Sequence, residues 1–167
     1  QDNIEGSCAS YYKHENESVA PGYYSLLMDN GVKVELTSTE RVAMHHYTFP
    51  KNQAAHLLID LKEGNGDKSN DTYLKKVDEY TIEGYRFSHG WSPQHKVFFV
   101  MKFDQPIASV QVFKGDEPAG ADELTAENVK GVVSFLDNPE NVMAKVAISS
   151  VGCPNAGLNM QTELPHW

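Results

Sequence analysis

Cysteine, basic residues and long apolar runs are all scarce in this chain of 167 residues. The two cysteines, Cys8 and Cys153, lie far apart and outside any CxxC or Cys/His cluster with zinc-site spacing, so no metal site is indicated. A disulfide between them requires the chain ends to meet, and two unpaired thiols are the alternative. No stretch approaches the ~18 apolar residues of a membrane span, and no signal-peptide pattern opens the chain.

The charge balance is acidic, with 14 Lys and Arg against 23 Asp and Glu, a formal net charge of -9. Proteins that bind nucleic acids need clustered basic residues to displace counterions, whereas the basic residues here are scattered. The charge therefore argues against a nucleic-acid partner. Hydrophobic residues make up 40% and charged residues 22%, which is typical of a globular domain, and the length predicts a single domain over residues 1–167.

Alternation of apolar and charged residues is the main structural signal. It is clearest over residues 32–36, and the Asp29-Asn30-Gly31 turn before them predicts a hairpin with residues 23–28. The other predicted strands span residues 42–49, 55–61, 74–82, 96–103, 108–113, 130–136 and 142–149. Nine strands separated by Gly-, Pro-, Asn- and Asp-rich turns predict an all-β fold, an antiparallel β-sandwich.

Helical signal is thin. Residues 155–164 form the only amphipathic candidate, which Pro165 would end. A brief helical turn is also predicted over residues 122–128, where acidic residues and alanine favour it.

Two histidine-containing segments are weak candidates for chemistry. His14 lies beside Glu15 and Glu17, but neighbouring strand residues point to opposite faces, so a polar surface loop is the better interpretation. The same geometry argues against a zinc site at His45 and His46. One of the pair is expected to face inward and to hydrogen-bond a backbone group or a carboxylate.

A third segment, Tyr85-Arg86-Phe87-Ser88-His89-Gly90-Trp91, combines aromatic, hydroxyl, guanidinium and imidazole groups next to a glycine. Sugars bind such sets, with C–H faces on aromatic rings and hydroxyls on planar polar groups. A Ser/His/Asp triad is not indicated, because no Gly-x-Ser-x-Gly elbow surrounds Ser88. The 23 acidic residues could contain a glycosidase carboxylate pair, but the sequence does not position one.

Taken in order, several segments resemble the N-terminal domain of glycoside hydrolase family 92. They are His14-Glu15-Asn16-Glu17 with Pro21-Gly22-Tyr23-Tyr24, residues 35–42, His45 with Tyr47-Thr48-Phe49-Pro50, residues 84–91, and the tail at residues 156–159 and 163–167. The resemblance implies a galactose-mutarotase-like supersandwich with a short C-terminal helix that leads to a linker. It also implies a larger two-domain glycosidase in which the sandwich is the N-terminal domain.

What the resemblance implies about function is a calcium-dependent, inverting exo-α-mannosidase that acts on mannan or N-glycans. Its carboxylates and calcium ligands are expected in a C-terminal (α/α)6 catalytic domain, so this domain has no catalytic residue, metal or cofactor of its own and is predicted to be inactive alone. Its expected partners are that catalytic domain and mannose-containing glycans. A periplasmic, secreted or cell-surface bacterial location is implied as well.

The expected sugar contacts are Phe87 and Ser88, with Arg86, Trp91 and His45 as further substrate-binding residues. The segment 87–91 is predicted to form a loop at the end of a strand. Two alternatives stay open, a stand-alone carbohydrate-binding module and a purely structural sandwich. An exposed, flat aromatic platform would favour the module, whereas a large exposed apolar patch would favour a second domain.

Overall fold

Thirteen strands and one α-helix make up the described part of the chain, residues 9–167 of a computed structural model. The strands are β1 (Glu17–Ala20), β2 (Tyr23–Leu27), β3 (Lys33–Ser38), β4 (Val42–Thr48), β5 (His56–Asp60), β6 (Lys68–Lys76), β7 (Thr81–His89), β8 (His95–Phe103), β9 (Ile107–Lys114), β10 (Glu117–Pro118), β11 (Glu123–Ala126), β12 (Val129–Phe135) and β13 (Asn141–Ser149). A 3-10 turn (His14–Asn16) precedes β1, and helix α1 (Cys153–Glu163) follows β13. Cys8, and with it the Cys8–Cys153 disulfide considered above, lies outside the described residues.

The strands form two antiparallel sheets. The large sheet has nine strands in the order β1-β2-β3-β4-β13-β8-β7-β6-β11, and the small sheet has four in the order β10-β9-β12-β5. The predicted all-β sandwich with a short C-terminal helix is confirmed. The predicted hairpin is confirmed too, because β2 pairs with β3 around the Asp29-Asn30-Gly31 turn, where Gly31 has a φ of +87°.

The core lies between the sheets but covers only one end of the large sheet. Along the inner face of β13 the residues change from fully buried Val142 to exposed Ile148. The inner face of β8 changes in the same direction, from buried Phe103 through Phe99 to half-buried Val97. The small sheet therefore leaves the inner face uncovered where β8 begins and β13 ends.

Helix α1 packs on the outer face of the large sheet. Its Ala156 and Met160 contact Val42 and Ala147 in a small apolar cluster. The helix predicted over residues 155–164 is confirmed, with its start two residues earlier. No helix in the described residues has the length and apolar character needed to cross a membrane.

Two predicted elements are wrong. Residues 74–82 form the end of β6, a turn and the start of β7, because Val77 N–H donates to Thr81 O and Tyr80 N–H donates to the Asp78 carboxylate. This turn uses no glycine or proline, so the sequence pattern hides it. The helical turn predicted over 122–128 is strand β11, which pairs with β6 and packs Leu124 against the core. Tertiary pairing overrides the weak local preference there.

Candidate functional site

A cleft of about 570 Å³ opens between the end of β7 and the start of β8, at the uncovered end of the large sheet. It is lined by residues 64–67 of the loop between β5 and β6, by residues 88–92, and by Arg86, His95 and Val97. The third candidate segment of the sequence therefore forms much of a cleft wall.

Strand parity decides which side chains enter this cleft. Arg86 and Ser88 are two residues apart on β7, so both point to the inner face. Strand β7 continues to His89, so the loop predicted over residues 87–91 begins only at Gly90. Gly90 N–H donates to Ser92 O and turns the chain there, and a Cβ at Gly90 would lie 3.0 Å from that of Asp67.

Arg86 fastens the β5–β6 loop to β7. Its guanidinium donates to both oxygens of Asp67, at 2.6 and 3.2 Å, and to Leu61 O and Lys62 O, at 3.0 and 3.3 Å. The Arg86 bonds, helped by the nearby Ser88 hydroxyl, lower the pKa of Asp67 to about 2. Gly64 is needed for the loop to approach, because a Cβ there would lie 1.9 Å from Asp67 Oδ1. The guanidinium thus organises a wall of the cleft.

Ser88 contributes a hydroxyl that has no hydrogen-bond partner. The side chain is 0% exposed and lines the cleft, and Oγ is the one buried side-chain polar atom without a partner among the described residues. The hydroxyl is near enough to Asp67 to help lower its pKa, but its geometry falls short of a hydrogen bond. Unpaired buried hydroxyls are uncommon and costly, so the Ser88 hydroxyl is the polar group of this cleft wall that most needs a partner.

The remaining cleft residues add an indole and two imidazoles. Trp91 is fully exposed at the rim. His89 Nδ1 donates to Asn70 Oδ1, and His95, at the start of β8, lines the cleft as the strand partner of Ser88. Ser88 has no hydrogen bond to a histidine, so the described residues do not form a Ser/His/Asp triad here.

Phe87 and His45 lie elsewhere. Phe87 is on the outer face of β7, where its ring centroid is 4.3 Å from that of Tyr85 and 5.3 Å from that of Phe98. Adjacent strand residues point to opposite faces, so Phe87 and Ser88 cannot share one surface. We therefore reassign Phe87 from the expected sugar contact to this outer aromatic cluster. His45, three strands from β7, bonds the hydroxyl of Tyr47 at 2.8 Å.

The other histidine candidates form polar contacts without a metal-binding set. His45 faces inward as predicted, although its partner is a hydroxyl, and burial lowers its pKa. His46 faces outward and bonds the Glu35 carboxylate at 3.1 Å, while His14 bonds Glu17 at 2.6 Å. No group of three or more His, Cys, Asp or Glu residues that could hold a metal occurs in residues 9–167. The calcium that the family resemblance implies stays an expectation for the C-terminal catalytic domain.

The sequence analysis missed Asp67 and its loop, because residues 64–67 belong to the Gly-, Asn- and Asp-rich segments that indicate only turns between predicted strands. Nothing in the local pattern connects Asp67 to Arg86, because the two are 19 positions apart. A shared cleft follows only from the pairing of β6 with β7.

The fold and the cleft together define the class of protein. It is a two-sheet antiparallel β-sandwich domain with an open polar and aromatic cleft at one end of its large sheet. Residues 1–149 match the glycosyl hydrolase family 92 N-terminal domain. The match covers most of the chain, and the chain belongs to this family.

Solved structures agree with this assignment. A family GH92 α-mannosidase of Bacteroides thetaiotaomicron is similar with a TM-score of 0.88 and 29% identity over 95% of this chain. The chain spans 23% of the length of that enzyme, which has also been solved in complex with mannoimidazole. An inverting family GH92 mannosidase of the same organism shares the fold, with a TM-score of 0.80, 21% identity, and coverage of 95% of this chain and 21% of that one.

An uncharacterized secreted glycosidase of Arthroderma benhamiae is 31% identical over 80 residues, which cover 44% of this chain and 10% of that protein.

Proposed function

We propose that this chain is the non-catalytic N-terminal domain of an inverting α-mannosidase that acts on α-linked mannosides of mannan or N-glycans, and that its cleft forms one wall of the sugar site. The observation that carries the proposal is the Ser88 hydroxyl, which is buried in the cleft wall and has no protein partner. A sugar hydroxyl would satisfy it. Trp91 at the rim offers an indole face of the kind on which sugar C–H groups pack.

The relatives support a larger parent enzyme. The chain spans 23% of one GH92 α-mannosidase and 21% of another, so most of each relative lies outside the matched domain. We propose that a C-terminal (α/α)6 catalytic domain supplies the acid, the base and any calcium. A secreted or periplasmic bacterial location is proposed in line with the secreted relative and the Bacteroides structures.

An exposed apolar surface beside the cleft fits a second domain. Trp91, Ile148 and Val151 are all exposed, and Ile148 and Val151 line a neighbouring cleft that shares His95 and Val97 with the first. Apolar side chains around a cleft are typical of a surface that another domain covers. The catalytic domain is proposed to dock here and to close the sugar site.

A stand-alone carbohydrate-binding module is the second candidate. The full exposure of Trp91 favours it, because one accessible indole can stack on a sugar without another domain. The outer aromatic cluster does not add a platform, since Tyr73, Tyr85 and Phe87 stack on one another. Titration of the isolated chain with mannobiose, followed by Trp91 fluorescence in a Trp167→Phe background, separates the candidates, and only the module predicts saturable binding.

The isolated chain is expected to show no turnover of an aryl α-mannoside. Inversion requires an acid and a base roughly 6.5–9.5 Å apart across the sugar, and carboxylates that are not positioned around a bound sugar cannot replace them. Release of the aryl alcohol by the purified chain is the measurement. Activity that co-purifies with the chain and responds to mutation of its own acidic residues would refute the non-catalytic assignment.

Ser88→Ala in the complete parent enzyme is expected to lower kcat/KM about 5- to 150-fold, equivalent to about 1–3 kcal/mol of lost transition-state stabilisation. The melting temperature of the isolated domain should stay the same or rise, because the substitution removes a buried hydroxyl that has no partner. Steady-state kinetics and thermal unfolding measure the two effects separately.

Phe87→Ala is the matched control, one residue away on the opposite face. It removes part of the outer aromatic cluster, so the domain should lose stability by about 1–3 kcal/mol while the folded enzyme keeps its kcat/KM. If Ser88→Ala had wild-type kinetics, the sugar-wall proposal would be wrong.

A further inference from the structure

Helix α1 has little of its own to hold it on the sheet. It has 11 residues, no side-chain N-cap and only two buried residues, Ala156 and Met160. It also contains Gly157 and two asparagines, which are poor helix formers, and helices of this length are marginal in water. Contacts outside the helix must therefore keep it in place.

The last helical residue, Glu163, provides such a contact. Its carboxylate accepts hydrogen bonds from Thr39 Oγ1 at 2.6 Å, from Arg41 N at 3.0 Å and from Arg41 Nε at 2.6 Å. A negative charge at a helix C-terminus opposes the helix dipole, so this position disfavours glutamate unless a partner compensates. The three donors come from the turn between β3 and β4. They lower the pKa of Glu163, with Thr39 as the largest cause.

Lys145 holds the segment that follows the helix. Lys145 is only 4% exposed, and its Nζ donates a hydrogen bond to Leu164 O at 2.8 Å. The same Nζ lies 4.5 Å from the centroid of the Trp167 ring, within cation–π range. The Leu164 carbonyl and the Trp167 ring, which this buried ammonium contacts, both belong to the segment Leu164 to Trp167.

These contacts reach the cleft region. Arg41, which binds Glu163, also lines the neighbouring cleft together with Asn155 and Asn159 of α1. That cleft shares His95 and Val97 with the cleft that contains Ser88. The contact between Arg41 and Glu163 therefore lies beside the surface that borders the candidate sugar wall.

We propose that Glu163 and Lys145 are positioning residues: they fix the exit segment Leu164 to Trp167 so that the following domain is held in one orientation over the cleft. The proposal rests on the proposed function, because it requires a catalytic domain after Trp167. The contacts formed by Glu163 with Thr39 and Arg41, and by Lys145 with Leu164 and Trp167, are called the exit latch below.

The exit latch can be tested on the isolated chain through Trp167. In a Trp91→Phe background Trp167 is the only tryptophan, and its time-resolved fluorescence anisotropy should show tumbling of the whole domain without fast local motion. Adding Glu163→Ala or Lys145→Met should introduce a nanosecond depolarisation component. Lys145→Met should do so with only a small loss of melting temperature, because an apolar side chain of similar length replaces the buried cation and offsets part of the cost of the donor that Leu164 O loses.

Thr162→Ala is the matched control. Thr162 is exposed, and its hydroxyl bonds only Leu158 O within the helix, so anisotropy should stay as in the background variant. Unchanged anisotropy in both Glu163→Ala and Lys145→Met would overturn the proposed exit latch. An equal change in Thr162→Ala would overturn it as well.

In the complete parent enzyme, Glu163→Ala should lower kcat by on the order of ten- to a hundredfold, since misplacement of a site wall by about 1 Å has effects of that size. The kcat of Glu163→Gln should lie between those of the wild type and Glu163→Ala. The amide oxygen can still accept hydrogen bonds from Thr39 and Arg41 N, but the neutral side chain cannot form an ion pair with the guanidinium. Wild-type kcat with a released Trp167 would overturn the positioning role. The proposed function fails by a different result, wild-type kinetics of Ser88→Ala.

Discussion

Gly84→Ala is expected to destabilise the domain by about 3 kcal/mol or more and to distort the part of the site that β7 carries. Gly84 lies on the inner face of β7, two residues before Arg86. A Cβ at this position would lie 2.2 Å from the backbone oxygen of Tyr73 and 2.7 Å from a ring carbon of Phe99. The first contact is with the paired strand, so no side-chain rotation can relieve it.

Urea denaturation of the isolated chain measures this effect, and Gly157→Ala is the control. A Cβ at Gly157 meets nothing within 4 Å, and alanine is favoured over glycine in a helix by about 0.5–1 kcal/mol, so this variant should be slightly more stable. A Gly84→Ala variant within about 0.5 kcal/mol of the wild type would mean that β6 and β7 do not pair as described.

Arg86→Met is expected to open the cleft wall and to destabilise the domain by about 2 kcal/mol or more. This magnitude includes only the cost of leaving Leu61 O and Lys62 O without their donor. Residues 61–67 should become sensitive to proteases, because the guanidinium is their link to β7. Arg86→Lys should be intermediate in stability and in protease sensitivity. An ammonium keeps the charge but cannot bond both Asp67 oxygens and the two carbonyls in one plane. Limited proteolysis and chemical denaturation measure the two effects.

The same ion pair predicts a dependence of stability on pH. The pKa of Asp67 in the folded state is about 2, below its ordinary value of 3.8. The contribution of ionised Asp67 to the free energy of unfolding is therefore present above pH 3.8 and is lost as the pH falls through 2. Arg86→Met should remove this part of the acid dependence, whereas Lys96→Met, on the outer face of the next strand, should retain it. Equal acid sensitivity in the wild type and Arg86→Met would contradict the role of the pair.

Strand prediction succeeded where one face of a strand is buried and the other is wet. Strand β3 shows this alternation, and the predicted limits of β3, β8 and β13 all lie within one or two residues of the observed ones. It failed at β6, whose first residues Lys68 to Asp71 are polar and contain a bulge against β7. A polar edge region carries no periodic signal, so pairing with a neighbour has to define it.

For the site, the sequence by itself determined the chemistry but not its arrangement. It placed Arg86, Ser88 and Trp91 close together beside a glycine, and these three do line one cleft. It could not exclude Phe87, because the parity of β7 matters only once the strand is known to extend to His89.

The family, the all-β class and the terminal helix were within reach of the sequence, since each depends on short-range pattern or on the order of motifs. Only the tertiary structure decided that Asp67 meets Arg86, that the small sheet leaves one end of the large sheet open, and that Glu163 meets Arg41. Glu163 and Arg41 are 122 positions apart in the sequence. Such contacts depend on strand order and sheet overlap, which are set by burial of the whole core and leave no trace in local periodicity.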